Sequence, residues 1–276
     1  MTGADGGLGL VLERLGAAGV RCWVDSGVLL GLIRGGALNA WEKDIDLAVT
    51  DDQLDALLAA SRGFTSLGYR VAVNRYRGTV FSVGLKPEAG APTGALRCSI
   101  HVYYRVGATL WSPQVELYQP PPTPDVYTER RSWVGDRLRR LVERWFEPPA
   151  EGAPRTSRIA TRKVGGYRLA RAFYRRVDRG WLAETWPFRE IYVPFTWVVP
   201  AGLVLPLGSW TASGVTYAVP ADVDGYLSLR YGDWRTPRRD WCYWEDDGAL
   251  VRERPGRVLA RLRVEGMASP AGMVVR

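Results

Sequence analysis

The stretch WVDSGVLLGLIRGGALNAWEKDIDLAV, residues 23–49, constrains this chain more than any other. Its end, DIDLAV, has the apolar and β-branched content of a buried strand, yet it carries Asp44 and Asp46 one residue apart. Because side chains alternate along a strand, the two carboxylates lie on one face, with Cα atoms roughly 6.5–7 Å apart, and Ile45 and Leu47 lie on the other. Carboxylates this close repel each other, and a divalent cation removes that penalty. The pair therefore indicates a site for Mg²⁺ or Mn²⁺, which prefer hard oxygen ligands.

The residues before this strand favour such a site over the alternative, a surface strand with two solvated aspartates. Gly27 begins a short helix predicted over 27–34, whose free N–H groups suit a phosphate. Gly31 permits a close approach of backbone or ligand, and Gly35 with Gly36 ends the helix. A metal pair held roughly 3.5–4 Å apart is a common clamp for in-line displacement at phosphorus. The segment therefore indicates phosphoryl chemistry.

The composition is that of an ordinary globular protein, with 46% hydrophobic and 24% charged residues. The three cysteines are widely spaced, which argues against a disulfide framework and a structural zinc site. A single histidine, His101, excludes mechanisms that need two. The first residues lack the features of a secretory signal, so we expect a cytoplasmic protein. The apolar window 191–210 carries three prolines, each of which costs about 3 kcal/mol inside a helix, so we expect extended segments and no transmembrane helix.

The positive charge of the chain, +8 in total, is concentrated in residues 155–181, where arginines alternate with aromatic and aliphatic residues. This pattern predicts a basic amphipathic helix. It is either the solvated face of a packed helix or a surface for anionic lipid or an anionic polymer. Peripheral contact with the inner face of a membrane through 155–181 is therefore one expectation, and we expect no nucleic-acid partner.

The pattern along the chain predicts an α+β fold. Helices are expected at 8–18, 27–34, from a cap at Asp51 or Asp52 to about 60, 128–146, 157–183, and at 222–231 behind a cap at Asp222. Strands are expected at 21–25, at DIDLAV, and at YRVAVN, TVFSVGL, RCSIHVYY and QVELYQ, with 190–220 extended or irregular. The proline-rich connector at 119–125 suggests a boundary between a core, 1–125, and a helical, basic C-terminal region, 126–276, which completes the substrate pocket.

Two separated segments resemble the LicD/fukutin family of DNA polymerase β-like nucleotidyltransferases. The first is the opening stretch, in which the matching positions are Asp25, Gly27, Leu29, Leu30, Gly31, Arg34, Gly36, Trp41, Asp44 and Asp46. The second is VPADVDGYLSLRYGDWRTPRRDW, residues 219–241, with Tyr226, Leu227, Tyr231, Gly232, Asp233, Trp234, Pro237 and Trp241. The resemblance implies a nucleotidyltransferase core with a mixed sheet.

The resemblance also implies a metal-dependent transferase. Such an enzyme takes a CDP-activated alcohol, transfers the alcohol phosphate to a hydroxyl of a glycan, glycolipid or polymer acceptor, and releases CMP. Asp44 and Asp46 would hold Mg²⁺ or Mn²⁺. The donor diphosphate would lie on the backbone of Gly27, Val28 and Gly31, with Arg34 either binding phosphate or only complementing the helix end. The substrate pocket would be lined by Asp25, Trp41, Tyr231, Trp234 and Arg235, where the aromatic residues are equally compatible with packing.

Two positions depart from the family pattern. Val28 replaces the usual threonine or serine and loses a hydroxyl, and the strand that usually carries a third carboxylate has His101 or Tyr103 instead. His101 is a candidate catalytic base or metal ligand, with a hydrogen-bonded core residue as the alternative; Glu116 and Asp25 are other candidates for the third ligand. Nucleotidyl transfer to a small alcohol or antibiotic, and a non-catalytic polyanion-binding role, remain open alternatives.

Overall fold

The computed structural model describes residues 3–38, 44–117, 192–238 and 241–268. The chain divides into two compact units. The first comprises Met1–Asn74, Val80–Gln114 and Phe195–Arg276, and the second comprises Arg75–Thr79 and Val115–Pro194. Most described residues belong to the first unit, which contains the paired aspartates, His101 and the residues that surround them.

The described part of the chain combines helices and strands, as the sequence predicted. Its helices are α1 Gly3–Ala17, α2 Ser26–Gly35, α3 Leu54–Gly63, α4 Ala201–Val204, α5 Val223–Tyr231, α6 Tyr243–Asp246 and α7 Pro255–Ala268, with 3₁₀ turns at Asp51–Gln53 and Phe64–Leu67. Its strands are β1 Trp23–Val24, β2 Asp44–Thr50, β3 Tyr69–Tyr76, β4 Thr79–Pro87, β5 Arg97–Val106, β6 Thr109–Leu117, β7 Tyr192–Pro200, β8 Gly208–Ala212, β9 Val215–Val219 and β10 Leu250–Val251.

One mixed sheet organises these elements. In the described residues it contains eight strands in the order β1-β2-β5-β6-β7-β10, and β4 pairs with both β3 and β5. The β2–β5 pair is parallel, whereas β1–β2, β4–β5, β5–β6 and β7–β10 are antiparallel. Strands β8 and β9 form a separate hairpin. Strand β5 thus lies at the centre, next to the strand that carries the paired aspartates.

The two faces of β2 differ in burial around the paired aspartates. Ile45, Leu47 and Val49 are fully buried, and their parallel neighbours on β5, Cys98 and Ile100, are fully buried as well. This face forms the core, because each such side chain removed from water contributes about 1.5–3 kcal/mol. The opposite face of β2 is therefore the one that carries the candidate site.

The local signals for α2 and α5 acted as predicted. Gly36 ends α2 in the left-handed conformation, and its N–H donates to the Leu32 carbonyl at 3.1 Å. The Asp222 side chain accepts the Gly225 N–H at 2.9 Å and caps α5. The predicted cap at Asp51 or Asp52 is wrong.

The reason is that Asp52 is already engaged. Its carboxylate accepts hydrogen bonds from the Thr50 hydroxyl, from Gln53 Nε2 at 2.8 Å and from Arg21 Nη2 at 3.0 Å. These bonds hold residues 51–53 in a 3₁₀ turn, and α3 begins after it without a side-chain cap. Competition from a local hydrogen-bonding partner thus displaced the predicted cap.

The described C-terminal residues contain more strand than the predicted helical region implied. The window 191–210 is largely extended, as expected from its prolines, and β7 and β10 join the main sheet. In the described stretches of the chain, no helix has the length and apolar character needed to cross a membrane. The helices predicted at 128–146 and 157–183, the basic segment 155–181 and the boundary at 119–125 lie outside the described residues and stay predictions.

A buried cation, Arg230 of α5, joins segments that are far apart in sequence. Its Nε and Nη2 atoms bind the Asp247 carboxylate at 2.6–3.1 Å. Its Nη1 donates to the Tyr226 hydroxyl at 3.2 Å and lies 3.4 Å from Asp25 Oδ1. The guanidinium also lies over the Trp197 ring, 4.9 Å from the centroid. A charge held away from water requires such partners, because its dehydration costs several kcal/mol.

Asp25 links this network to the candidate site. Its side chain is fully buried, accepts the Tyr226 hydroxyl, and caps α2 by accepting the Ser26 N–H at 2.8 Å. Its own N–H donates to the Asp46 carbonyl at 3.0 Å. One residue therefore connects α5, the start of α2 and the strand that holds the paired aspartates.

Replacing Arg230 with methionine tests how much this network contributes to the stability of the fold. The substitution leaves the buried Asp25 and Asp247 carboxylates without their cation, and breaking a buried ion pair in this way costs roughly 3–5 kcal/mol. We expect the free energy of unfolding, measured by urea denaturation, to fall by about that amount. The control is Arg261→Met on α7, where Arg261 and Glu253 pair at 2.8 Å with side chains 47% and 45% exposed. That change is expected to cost less than about 1 kcal/mol, and equal losses in the two variants would contradict the role of Arg230.

Candidate active site

The paired aspartates lie on one face of β2, as the alternation predicted. Both are half-buried, and the parallel register places Arg97 beside Asp44 and Ser99 beside Asp46. His101 follows two residues later on β5, opposite Ala48. Side chains at these positions point to the same side of the sheet, so β2 and β5 together build one polar face.

The electrostatic cost of the pair falls on Asp44. Partial burial raises the pKa of the Asp44 carboxyl, and the neighbouring Asp46 carboxylate raises it further. Arg97 and His101 act in the opposite direction without cancelling the effect. Asp44 therefore carries its negative charge at an energetic cost that a bound cation would relieve.

The structure brings His101 to the aspartate pair. Its Nε2 atom lies 3.7 Å from Asp46 Oδ1, and the side chain is 12% exposed. Its ring packs edge-to-face on Trp197, with centroids 4.9 Å apart. Within the described residues, the buried Nδ1 atom has no hydrogen-bond partner. His101 is therefore held by packing and faces Asp46, which favours a site role over that of a hydrogen-bonded core residue.

The sequence predicted a phosphate site at the start of α2, and the structure shows how its backbone and side chains are placed. Ser26 adopts a left-handed conformation, with φ 51°. Gly27 is half-buried and Gly31 is buried. Val28 is fully buried, so its side chain contributes packing and only its backbone N–H is suited to a phosphate. Arg34 is half-buried in the last turn of α2, where a cation complements the helix dipole.

The second sequence segment contributes Tyr231 to the surroundings of the site. Its ring packs on Trp241, with centroids 4.7 Å apart. Burial raises the pKa of the Tyr231 hydroxyl, Arg230 opposes this, and the carboxylates of Asp25, Asp247 and Asp46 add to the rise. Asp46, one of the paired aspartates, has the smallest of these effects.

Trp234 and Arg235 form a cluster with Asp224 of α5. The Trp234 Nε1 atom donates to Asp224 Oδ1 at 3.0 Å. Arg235 pairs with the same carboxylate and stacks on the Trp234 ring at 4.4 Å. Their role in a substrate pocket stays a prediction. Trp41 lies outside the described residues.

Asp25 differs most from its expected role as a pocket residue. It is fully buried and bound by Tyr226, Arg230 and the backbone of Ser26, so it acts here as an anchor for α2. One of its oxygens, Oδ2, has no partner in the described part of the chain. Of Glu116, the other candidate ligand, only the backbone in β6 is described.

Sequence reasoning missed Trp197, Arg230 and Asp247. Arg230 follows Tyr226 by four residues on a predicted helix, so helical spacing would have placed the two side chains on one face. No comparable signal marks Asp247 or Trp197, because their partners are brought together only by the tertiary fold.

The donor set agrees with a hard divalent cation held partly by the substrate. Among the described residues, no group of three or more His, Cys, Asp or Glu side chains is close enough to bind a metal. Mg²⁺ commonly takes one or two carboxylates from the protein and completes its shell with water and substrate phosphates. The Asp44–Asp46 pair, with the raised pKa of Asp44, fits that manner of binding.

Comparisons with known proteins address the fold and the family. The family model described as LicD/FKTN/FKRP, nucleotidyltransferase domain, matches residues 19–91, which include β1, α2 and β2. No curated protein matches the sequence. One similar solved structure is titled "Crystal Structure of ANT(2")-Ia in complex with adenylyl-2"-tobramycin", at 16% identity over 60% of this chain and 88% of that chain. The TM-score between the two structures is 0.25. The chain thus has a nucleotidyltransferase-like fold with a mixed sheet, and its residues 19–91 are similar to the LicD/FKTN/FKRP nucleotidyltransferase domain.

Proposed function

We propose that this protein transfers a phospho-alcohol group, of the phosphocholine or ribitol phosphate kind, from a CDP-activated donor to a hydroxyl of a glycan, glycolipid or polymer, and releases CMP. The observation that carries the proposal is the Asp44–Asp46 pair on the polar face of β2, with His101 Nε2 at 3.7 Å from Asp46. The family match supports a nucleotide-activated donor. In the reaction, the acceptor oxygen forms a new bond to phosphorus while the bond from phosphorus to the CMP oxygen breaks.

The aspartate pair is the proposed holder of Mg²⁺ or Mn²⁺. When bound, the cation supplies charge neutralisation on the phosphate oxygens of the donor. The carboxylates of Asp44 and Asp46 offer it oxygen ligands from one face of one strand, fixed by the ladder to β5. The Asp25 N–H bond to the Asp46 carbonyl keeps that strand in place next to α2.

The start of α2 is the proposed binding site for the donor diphosphate. The N–H groups of the first turn carry the positive end of the helix dipole, which suits an anion. Gly27 leaves space beside them, and the backbone N–H of Val28 is the group expected to replace the lost hydroxyl. Arg34 in the last turn stays an alternative phosphate ligand.

His101 is the proposed general base. It would accept the proton of the acceptor hydroxyl at Nε2 as that oxygen attacks phosphorus. Trp197 holds the ring in position from one side. A role as metal ligand remains the alternative, and the two roles differ in their effect on nucleotide binding.

Several finer assignments stay predictions from the sequence. The pocket around Tyr231, Trp234 and Arg235 would receive the cytosine or a sugar ring, with Trp41 as a further member. A cytoplasmic location, contact of 155–181 with an anionic membrane, and the division at residue 125 are likewise untested.

The donor can be identified by thermal unfolding with CDP-choline, CDP-ribitol, CDP-glycerol and CTP, each with and without Mn²⁺. Ligand at about 100-fold over its Kd adds about 2.7 kcal/mol to the folded state, which raises the Tm measurably. We expect one CDP-alcohol to raise the Tm only when Mn²⁺ is present, and Asp46→Asn to abolish the shift. Asp55→Asn, at an exposed position of α3, is the matched control and should retain it. A shift that survives in Asp46→Asn contradicts the assignment of the metal site.

Replacing Asp44 with asparagine should stabilise the metal-free protein. The folded state raises the pKa of Asp44, so the penalty is absent below the ordinary carboxyl value and grows as the pH rises through the folded pKa. Because Asp44 is only half-buried, we expect a gain of up to about 1 kcal/mol at neutral pH. Urea denaturation between pH 4.5 and 7.5 should show the gain shrinking towards the acidic end. A loss of stability at neutral pH is the opposing result.

The variant His101→Gln separates the two roles of this histidine. As a general base it contributes roughly 10²–10⁴-fold to the rate, so kcat should fall by that factor while the nucleotide Kd in Mn²⁺ stays unchanged. If His101 instead binds the metal, the nucleotide Kd rises as well. The assay is CMP release with the donor found above, and an unchanged kcat contradicts both roles.

A further inference from the structure

Basic residues continue the polar face of the sheet beyond the aspartate pair. The parallel register places Arg97 beside Asp44. On the other side of β5, Leu85 is opposite Cys98, so the next pair along this antiparallel ladder is Lys86 with Arg97. Since Leu85 and Cys98 are fully buried on the core face, Lys86 and Arg97 point to the face that carries Asp44.

Arg97 and Lys86 begin a row of basic residues, the basic row, which extends to a third strand, β3. The Glu88 N–H donates to the Gly68 carbonyl at 2.9 Å, which sets the register of β3 against β4 and brings Arg70 beside Lys86. Arg97, Lys86 and Arg70 therefore cross β5, β4 and β3 in one line. With strands about 4.8 Å apart, the line reaches about 14 Å from β2.

The charges in this row are close enough to affect one another. Partial burial lowers the pKa of Lys86, Arg70 and Arg97 lower it further, and Glu88 acts in the opposite direction. Arg70 also pairs with Glu88 at 3.2 Å, where the Glu88 side chain is 50% exposed. Lys86 and Arg97 are both exposed. Cations placed together at a surface repel each other, and an anion between them lowers the free energy.

Beside these cations, the neighbouring residues on the same face of the sheet are mostly small and leave space for a ligand. It contains Asp46, Ser99, Gly84 and Ala72, of which the last three are small and half-buried. A Cβ added at Gly84 would meet only Ala72, at 3.8–3.9 Å. Small side chains therefore leave open space above the sheet between Asp46 and β3, and the cations Arg97, Lys86 and Arg70 lie beside that space.

We propose that Arg97, Lys86 and Arg70 form a subsite for a phosphate group of the acceptor substrate. The assignment rests on the proposed function, because it takes the reacting phosphorus to lie at Asp44 and Asp46. An Arg97 guanidinium suits bidentate binding of a phosphate, and a lysine ammonium adds a point charge. The acceptor class is then a glycan, glycolipid or polymer that carries a phosphomonoester or phosphodiester near the reacting hydroxyl.

The distances favour the acceptor over the donor as the source of this phosphate. The donor diphosphate has to lie at the aspartate pair, where its bond is broken. Lys86 and Arg70 lie two and three strands away from β2, or about 10 and 14 Å. The remaining parts of the proposed donor, cytosine and a neutral or cationic alcohol, carry no negative charge that would need these cations.

Inorganic phosphate is the probe for this subsite, titrated without metal into the full-length protein and followed by ³¹P line broadening. Lys86→Gln should raise the phosphate Kd at least about 5-fold, and Lys86→Gln with Arg97→Gln should raise it further. Arg105→Gln is the control, because Arg105 is an exposed arginine of β5 whose Cα lies about 26 Å along the strand from Arg97. That separation exceeds the Debye length of about 8 Å at physiological ionic strength, so its Kd should stay within about 2-fold.

A parallel titration with CTP and Mg²⁺ separates this inference from the proposed function. In Lys86→Gln, an unchanged CTP Kd together with weakened phosphate binding supports an acceptor subsite. Phosphate binding equal to wild type in both Lys86 variants overturns it, and so does a CTP Kd that rises in Lys86→Gln, since the cation would then serve the donor. CTP binding that is unaffected by Asp46→Asn contradicts the proposed function instead, whatever the Lys86 variants show.

Discussion

The burial of the Arg230 guanidinium is the constraint on which the arrangement of the site depends. This cation is tolerable in the core only because Asp247 and Asp25 neutralise it and Tyr226 accepts a further hydrogen bond. Asp25 lies 205 positions before Arg230 in the chain. The network thus gives a physical reason why two short segments so far apart in sequence lie next to each other in the fold. The second segment holds the first in place, and through Asp25 it fixes α2 against β2.

The site that this network supports is itself electrostatically costly. Asp44 and Asp46 share one face of β2, and the flanking cation Arg97 and the imidazole of His101 leave the pKa of Asp44 raised. A fold selected only for stability would replace one of these carboxylates. The buried network and the apolar face of Ile45, Leu47 and Val49 stabilise the strand enough to retain both. The apolar face of β2 thus stabilises the fold, and the face with Asp44 and Asp46 lowers its stability.

The sequence predicted what local patterns determine. Alternation along DIDLAV placed Asp44 and Asp46 on one face, and Gly36 ended α2 where a left-handed residue was expected. It failed where partners come from distant segments. Asp25 was expected in a pocket and lies in the core, because its partners Tyr226 and Arg230 are set by docking of α5. The extended character of β7 was expected, but the positions of β7 and β10 in the main sheet were not predicted, since they depend on pairing across long stretches of chain.

The acidic pair and the basic row remain distinct although Arg97 borders both. If Arg97 fully neutralised Asp44, neither charge would be available to a ligand, and Asp44 would show a lowered pKa. The pKa of Asp44 is raised instead, so burial and Asp46 outweigh Arg97. On the far side of Arg97, Lys86 is also a cation, and Arg97 lowers the pKa of Lys86 by repulsion. The sheet face therefore carries two carboxylates on β2 and a row of basic side chains that begins on β5, about 5 Å away. The proposed transfer from a metal-bound donor to a phosphate-bearing acceptor would use this polarity.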